Sequence, residues 1–169
     1  MNGPAGAPVL AAAALWFSCL PPAPAQADTP ALQQHIGPRA NYLERCGGCH
    51  GVDGASFARN VPDLKDKAGY FLCNGAGRDY VARLPNVVFA EISDTDMAAM
   101  LNYVMFDLGA ASAPPGARAF TPRELGRARR NALAIPDLEA YRARIVDQMI
   151  ATCGAPKSLR TEYGSGAGK

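Results

Sequence analysis

The 169-residue chain has no strong excess of charge of either sign, since 17 basic and 15 acidic side chains leave a net charge of +2. A dedicated nucleic-acid-binding protein carries a clear basic surplus, so that class is not expected. No uninterrupted apolar run reaches the ~18 residues that a membrane span requires. Apolar residues make up 49% of the chain and charged residues 19%. This composition is typical of a folded globular protein.

Residues 1–27 contain no Asp, Glu, Lys or Arg. An apolar segment at residues 9–20 has the length of a signal-peptide core, and two prolines follow it. The sequence Ala-Gln-Ala at 25–27 has the small-x-small pattern of a signal-peptidase site. We therefore expect residues 1–27 to be a signal peptide cleaved after Ala27, and the mature protein to be periplasmic. Cys19 leaves a lipid-anchored alternative open.

The mature chain divides at a linker-like stretch rich in Ala, Pro and Gly, residues 110–116. Residues 28–112 hold 10 acidic and 7 basic side chains, whereas residues 113–160 hold 4 acidic and 9 basic ones. We expect a first domain at 28–112, a basic helical extension at 113–160 and a flexible, glycine-rich tail at 161–169.

Helix signals predict a mostly α fold without convincing strand pairs. In the first domain the predicted helices cover about residues 38–47, 66–72 and 93–108, the last of them opened by a serine cap. In the extension, Thr-Pro-Arg-Glu at 121–124 combines a capping box with a proline in the first turn. A last helix is predicted at about 137–153, where a glycine follows.

The motif Cys46-Gly47-Gly48-Cys49-His50 carries specific chemistry. The pattern Cys-x-x-Cys-His is typical of covalent haem attachment. Two thiols three residues apart lie on one side of a helical turn, where both can reach the vinyl groups of one porphyrin. The histidine that follows is brought against one face of the ring, where its imidazole can bind iron. The motif predicts one haem c, attached through Cys46 and Cys49, with His50 as the proximal ligand.

A thioredoxin-like redox pair and a structural zinc site are the alternatives for these cysteines. The first requires a βαβ context, which the flanking sequence does not predict. The second requires another Cys/His pair at ligand spacing, and the only other histidine is the isolated His35. The haem interpretation is favoured, because a signal peptide is also predicted and covalent haem attachment occurs outside the cytoplasm.

Residues 41–108 resemble the class I cytochrome c family. The resemblance rests on the residues around the motif (46–54), on Val-Pro-Asp-Leu at 61–64, and on the last predicted helix of the first domain. It implies a cytochrome c-like fold in which the helix before the motif crosses that last helix. It also implies that Pro62 offers its backbone carbonyl to the proximal imidazole.

The resemblance further implies an electron carrier and not an enzyme. Single electrons would pass from a redox partner, such as a periplasmic dehydrogenase, to a downstream acceptor, while the iron cycles between Fe(III) and Fe(II). No nucleophile–base pair or acid pair points to hydrolytic catalysis. A haem subunit of a fixed redox complex, docked through the extension, is a further alternative.

The sequence departs from the family at the second iron ligand, because Leu84 stands where the family has methionine. Met97 and Met100 are the leading replacements, and Met100 is also expected to pack on the haem edge. The other side chains able to bind iron are those of Met105, Met149, His35, Tyr80 and a lysine. An open sixth position is the remaining option, and it would allow a diatomic gas or peroxide to bind, with peroxidatic activity as a consequence.

Two further pairs of residues have alternative interpretations. Cys73 and Cys153 either form a disulfide that ties the extension to the first domain or remain as two buried thiols. Arg78 and Arg83 flank the segment expected to cover the haem, and each either pairs with a haem propionate or is solvated.

The extension carries arginines that form either a docking face for an acidic redox partner or an ordinary solvated helix surface. They are Arg123, Arg127, Arg129, Arg130, Arg142 and Arg144.

Overall fold

The fold is that of a computed structural model, which describes Met1, Gly3 and residues 37–57 and 61–163. The two long ranges belong to one compact unit. They consist of helices and connecting turns without a β-strand, which confirms the mostly α class. His35 lies outside the described residues, and so does the predicted signal peptide except for Met1 and Gly3. Among the described helices, none has the length and apolar character that crossing a membrane requires.

The first two helices carry the cysteine motif. Helix α1 (Pro38–Arg45) begins with a proline, whose fixed φ suits the first turn. After a one-residue break, α2 (Gly47–His50) follows, so the helix predicted at 38–47 is interrupted near its end. α1 packs against α5 (Asp94–Tyr103). The rings of Tyr42 and Tyr103 meet in this contact with their centroids 5.7 Å apart.

The helix predicted at 93–108 changes its geometry part of the way along. Ser93 caps α5 as expected, because its Oγ accepts a hydrogen bond from the Asp96 N–H at 3.0 Å. From Val104 to Leu108 the chain forms a single π-helical turn, and a 3₁₀ turn (Ala110–Ser112) follows. Single π turns within α-helices are frequent at functional sites. Met105, which lies on this turn, is 2% exposed.

The segment between the motif and α5 contains more helix than the sequence patterns predicted. The helix predicted at 66–72 is a 3₁₀ helix (Ala68–Leu72). Helices α3 (Gly75–Arg83) and α4 (Pro85–Val88) were not predicted. Two glycines weaken the helix signal at the start of α3. Asn74 compensates as N-cap, since its Oδ1 accepts a hydrogen bond from the Gly77 N–H at 2.8 Å.

The extension forms three helices. The capping box at 121–124 is present and opens α6 (Pro122–Arg129). Helix α7 (Leu138–Cys153) ends at Gly154, which adopts the left-handed conformation typical of a helix stop. Helix α8 (Leu159–Tyr163) extends past residue 160, so the flexible tail predicted from residue 161 begins too early.

The extension is not a separate unit, because α6 packs on α3 and α5, and α7 packs on α3. Arg129 of α6 was expected either on a docking face or on a solvated helix surface, and it lies on neither. Its Nε donates to Asp94 Oδ1 at 2.7 Å, and its other nitrogens donate to three backbone carbonyls. A partly buried guanidinium is tolerated there because its donors are satisfied. Those carbonyls belong to Val88, Ala90 and Ile92.

Cys73 and Cys153 form a disulfide with their Cα atoms 6.0 Å apart, which decides between the two alternatives for this pair. The bond joins the residue just after the 3₁₀ helix to the last residue of α7. The two cysteines are 80 residues apart in the chain, so the closed loop includes most of the fold.

Replacing both disulfide cysteines with alanine should destabilise the protein by about 4 kcal/mol, because cross-linking a long loop restricts the unfolded chain. Urea unfolding of Cys73→Ala/Cys153→Ala and of the wild type, both under non-reducing conditions, measures this difference. The wild type treated with reductant is the matched control and should unfold at the denaturant concentration of the variant. Equal midpoints for wild type and variant would contradict the expected stabilisation.

Candidate functional site

An apolar cavity of about 270 Å³ lies beside the turn that carries the cysteine motif. Its volume is close to the lower end of the range for small-molecule sites, ~300–1,000 Å³. The first domain lines it through α2, the loop at 61–64, the 3₁₀ helix, α3, α4 and the α5–π segment. The extension completes the wall with Leu138, Arg142 and Tyr163.

The cysteine motif forms a tight helical turn at the edge of this cavity. The backbone N–H groups of Cys49 and His50 both donate to the Cys46 carbonyl, at 3.1 and 2.9 Å. Cys46 and His50 line the cavity, whereas Cys49 is exposed and is not part of the lining. Both cysteines are free thiols. Burial raises the pKa of the Cys46 thiol, so it is uncharged at neutral pH.

His50 is held in one orientation and one tautomer. Its Nδ1 lies 2.9 Å from the Pro62 carbonyl oxygen. A carbonyl can only accept, so Nδ1 carries the proton and Nε2 keeps a free electron pair. Burial lowers the pKa of His50, so the ring is neutral at pH 7. A neutral imidazole with one nitrogen anchored and the other free is the usual state of a metal-binding histidine.

The residue after His50 has to be glycine. Gly51 adopts a φ of +77°, and a Cβ there would lie 2.1 Å from the Ala55 carbonyl oxygen. The Gly51 carbonyl accepts a hydrogen bond from the Tyr42 hydroxyl at 2.5 Å. Helix α1 therefore fixes the position of the chain as it leaves the motif.

The predicted candidates for a second iron ligand occupy different places. Leu84 lines the cavity. Met97 and Met100 are 0% and 1% exposed in the core and are not part of the cavity lining. Met105 lines the cavity. Of the other candidates, Tyr80 lines the cavity, Met149 lies in the core and His35 lies outside the described residues.

The two arginines predicted to meet haem propionates are not part of the lining. Arg78 makes a two-pronged ion pair with Glu124 of α6, with Nε–Oε1 at 2.6 Å and Nη2–Oε2 at 2.7 Å. It also donates to two carbonyls of the extension and lies over the Phe120 ring. Arg83 pairs with Asp79 at 2.8 Å and donates to the Asn131 carbonyl at 2.6 Å. Both arginines connect α3 with the extension.

Arg142 lies against the cavity, where Arg78 and Arg83 had been expected. It was expected on a docking face or on a solvated helix surface, but it lines the cavity. The residue spacing along α7 could have predicted this position. Arg142 lies at helical intervals from three apolar residues, which places the arginine on the apolar face of the helix. They are Leu138, Ile145 and Met149. Tyr163 was missed for another reason, since an isolated tyrosine before a glycine-rich tail has no periodic pattern around it.

Tyr163 anchors the end of α8 beside the proximal loop. It is 2% exposed, and its ring packs on that of Phe71 with a centroid separation of 5.4 Å. Its hydroxyl donates to the carbonyl of Asp63, the residue after Pro62. Burial raises the pKa of Tyr163, so the hydroxyl remains a donor at neutral pH.

No grouping of three or more His, Cys, Asp and Glu side chains suited to a metal ion occurs in the described part of the chain. Comparison with known proteins gives no family assignment, because no protein-family model and no curated protein match the chain.

Replacing Tyr42 with phenylalanine should cost about 1–2 kcal/mol, because the Gly51 carbonyl loses its short hydrogen bond and keeps only the long one from the Gly54 N–H. Burial raises the pKa of Tyr42 from 10.0 to about 12. The unfolded chain therefore releases this proton first, and the wild type should lose stability as the pH rises from 10 to 12. Urea unfolding across that range measures the effect. Tyr42→Phe should show a shallower decline, and parallel declines would contradict this assignment.

Proposed function

We propose that the protein is a periplasmic monohaem c-type cytochrome that carries single electrons between redox partner proteins. One observation carries the proposal: the neutral imidazole of His50, anchored on Pro62, and the free thiol of Cys46 line the same apolar cavity. The Cys-x-x-Cys-His pattern independently favours the same cofactor.

The residues present fit a covalently bound haem. Cys46 and Cys49 are free to form the two thioether bonds, and His50 has a free nitrogen for the iron. When bound, haem iron supplies one-electron transfer between Fe(III) and Fe(II). The apolar side chains of the cavity limit access of water, and the Pro62 carbonyl keeps the imidazole in its tautomer.

The Cys73–Cys153 disulfide supports the proposed location, because structural disulfides are typical of proteins in oxidising compartments. A periplasmic donor such as a dehydrogenase fits this location. The arginines that remain exposed on the extension would favour an acidic partner, mainly by raising the rate of encounter. Of the six arginines considered for docking, these are Arg123, Arg127, Arg130 and Arg144.

Met105 is the methionine best placed to be the second iron ligand. It lines the cavity together with His50, whereas the two methionines favoured from the sequence are in the core. A six-coordinate iron between histidine and methionine is typical of electron carriers.

A five-coordinate haem protein that binds a diatomic gas or peroxide is the second candidate. The position of Leu84 favours it, because this side chain lines the cavity and cannot bind iron. The two candidates differ in whether an exogenous ligand has access to the iron.

Coexpression with a haem-attachment system should give a protein whose mass increases by one haem and whose colour survives denaturing electrophoresis. Cys46→Ser/Cys49→Ser should lose the covalent haem, because both thioether bonds are removed. Cys73→Ser/Cys153→Ser, which removes the same number of cysteines elsewhere, should keep it. A wild type without covalent haem, or a Cys46→Ser/Cys49→Ser variant that retains it, would refute the proposal.

Carbon monoxide tests which candidate is correct. We expect the ferrous wild type to bind CO slowly or not at all, because Met105 occupies the sixth position. Met105→Leu should bind CO at once, and Met100→Leu, an equivalent change in the core, should behave as the wild type. The absorption spectrum after rapid mixing measures this. Prompt binding by the wild type, unchanged in Met105→Leu, would favour the five-coordinate candidate.

A further inference from the structure

Arg142 is the only arginine or lysine among the described residues that line the cavity. It lies in the second turn of α7, four residues after Leu138, which also lines the cavity. Its Nε donates to the Tyr163 carbonyl oxygen at 2.7 Å. Tyr80 lines the same cavity, and the positive charge of Arg142 acts on its hydroxyl. The extension thus places a guanidinium against the cavity that contains His50.

Within the described ranges, Arg142 has no carboxylate partner. Its hydrogen-bond acceptor is the neutral carbonyl oxygen of Tyr163. The other partly buried arginines of the fold do have one: Arg78 pairs with Glu124, Arg83 with Asp79 and Arg129 with Asp94. A guanidinium has five N–H donors, so Arg142 retains donors for a further acceptor.

Tyr80 adds a second donor at the same place. The side chain is 3% exposed and lines the cavity together with Arg142. Its hydroxyl carries a proton that it can donate. Burial raises the pKa of Tyr80, which keeps that proton in place at neutral pH. A cation and a hydroxyl donor side by side are suited to a carboxylate.

We propose that Arg142 and Tyr80 form a carboxylate-binding subsite within the cavity. The carboxylate comes either from a propionate of the haem or from a small free anion such as formate. The first source rests on the proposed function, and the second does not. In either case the extension is part of the ligand-binding site, because Arg142 belongs to α7.

The test compares Arg142→Gln with Arg144→Gln in the full-length, haem-loaded protein. Arg144 is the matched control, since it loses the same charge from the same helix but is exposed and lies over the Tyr141 ring. The readout is the reduction potential, measured by spectroelectrochemistry at low and high salt. Arg142→Gln should shift the potential negatively at both salt concentrations, because an uncompensated carboxylate stabilises the ferric state. Arg144→Gln should change it little, and less at high salt.

Formate distinguishes the two sources. If the carboxylate is a propionate, formate leaves the ferric wild-type spectrum unchanged and only the potential responds to Arg142→Gln. If it is a free anion, formate gives a saturable spectral change that Arg142→Gln loses and Arg144→Gln keeps. Equal potentials and equal formate responses in the two variants would overturn the subsite.

Two further measurements keep the proposal testable. Arg142→Lys retains the charge but not the two-pronged geometry, so it should shift the reduction potential less than Arg142→Gln does. If Arg142→Gln does not fold, Arg142→Lys takes its place in the comparison with Arg144→Gln. If the wild type attaches no haem, the proposed function fails, and calorimetric titration of the apoprotein with formate still tests the subsite. Binding lost in Arg142→Lys would support the free-anion source, and no binding by the wild type would overturn the subsite.

Discussion

The hydrogen bond from His50 Nδ1 to the Pro62 carbonyl is the contact on which the candidate site depends, because it sets the tautomer and direction of the imidazole. Each end of this bond is held by a distant part of the chain. Tyr42 of α1 holds the carbonyl of Gly51, the residue after His50. Tyr163 of α8 holds the carbonyl of the residue after Pro62. The first and last described helices therefore meet at the same loop, and the geometry of the imidazole depends on nearly the whole fold.

The extension belongs to the site and to the core at once. Its residues complete the cavity wall, while Arg78–Glu124 and Arg129–Asp94 connect it with the first domain through partly buried ion pairs. Such pairs satisfy the donors and acceptors of charged groups that the fold has removed from water. The disulfide adds a covalent connection at the end of α7. Removing the extension would consequently open the cavity to solvent, and it would also remove any docking surface that the extension carries.

Local patterns could be predicted from the sequence, and long-range pairings could not. The motif, the serine cap of α5 and the capping box of α6 involve neighbouring residues, so their chemistry is visible in short segments. Helix α3 was missed because its glycines obscured a helix that Asn74 caps. The positions of Arg78 and Arg142 could not be predicted, because which guanidinium reaches the cavity depends on how α6 and α7 pack on α3. Only the spacing of apolar residues along α7 indicated locally that Arg142 lies on the buried face of the helix.

The position of the disulfide has a consequence for the order of assembly. Cys153 follows Cys73 by 80 residues, so the bond can close only after almost the whole chain has been made. Until then, no covalent bond joins α7 to the first domain, so the wall that the extension adds to the cavity is the last to be fixed in place. Before Cys153 is available, this side of the cavity depends on the non-covalent packing of α7 on α3.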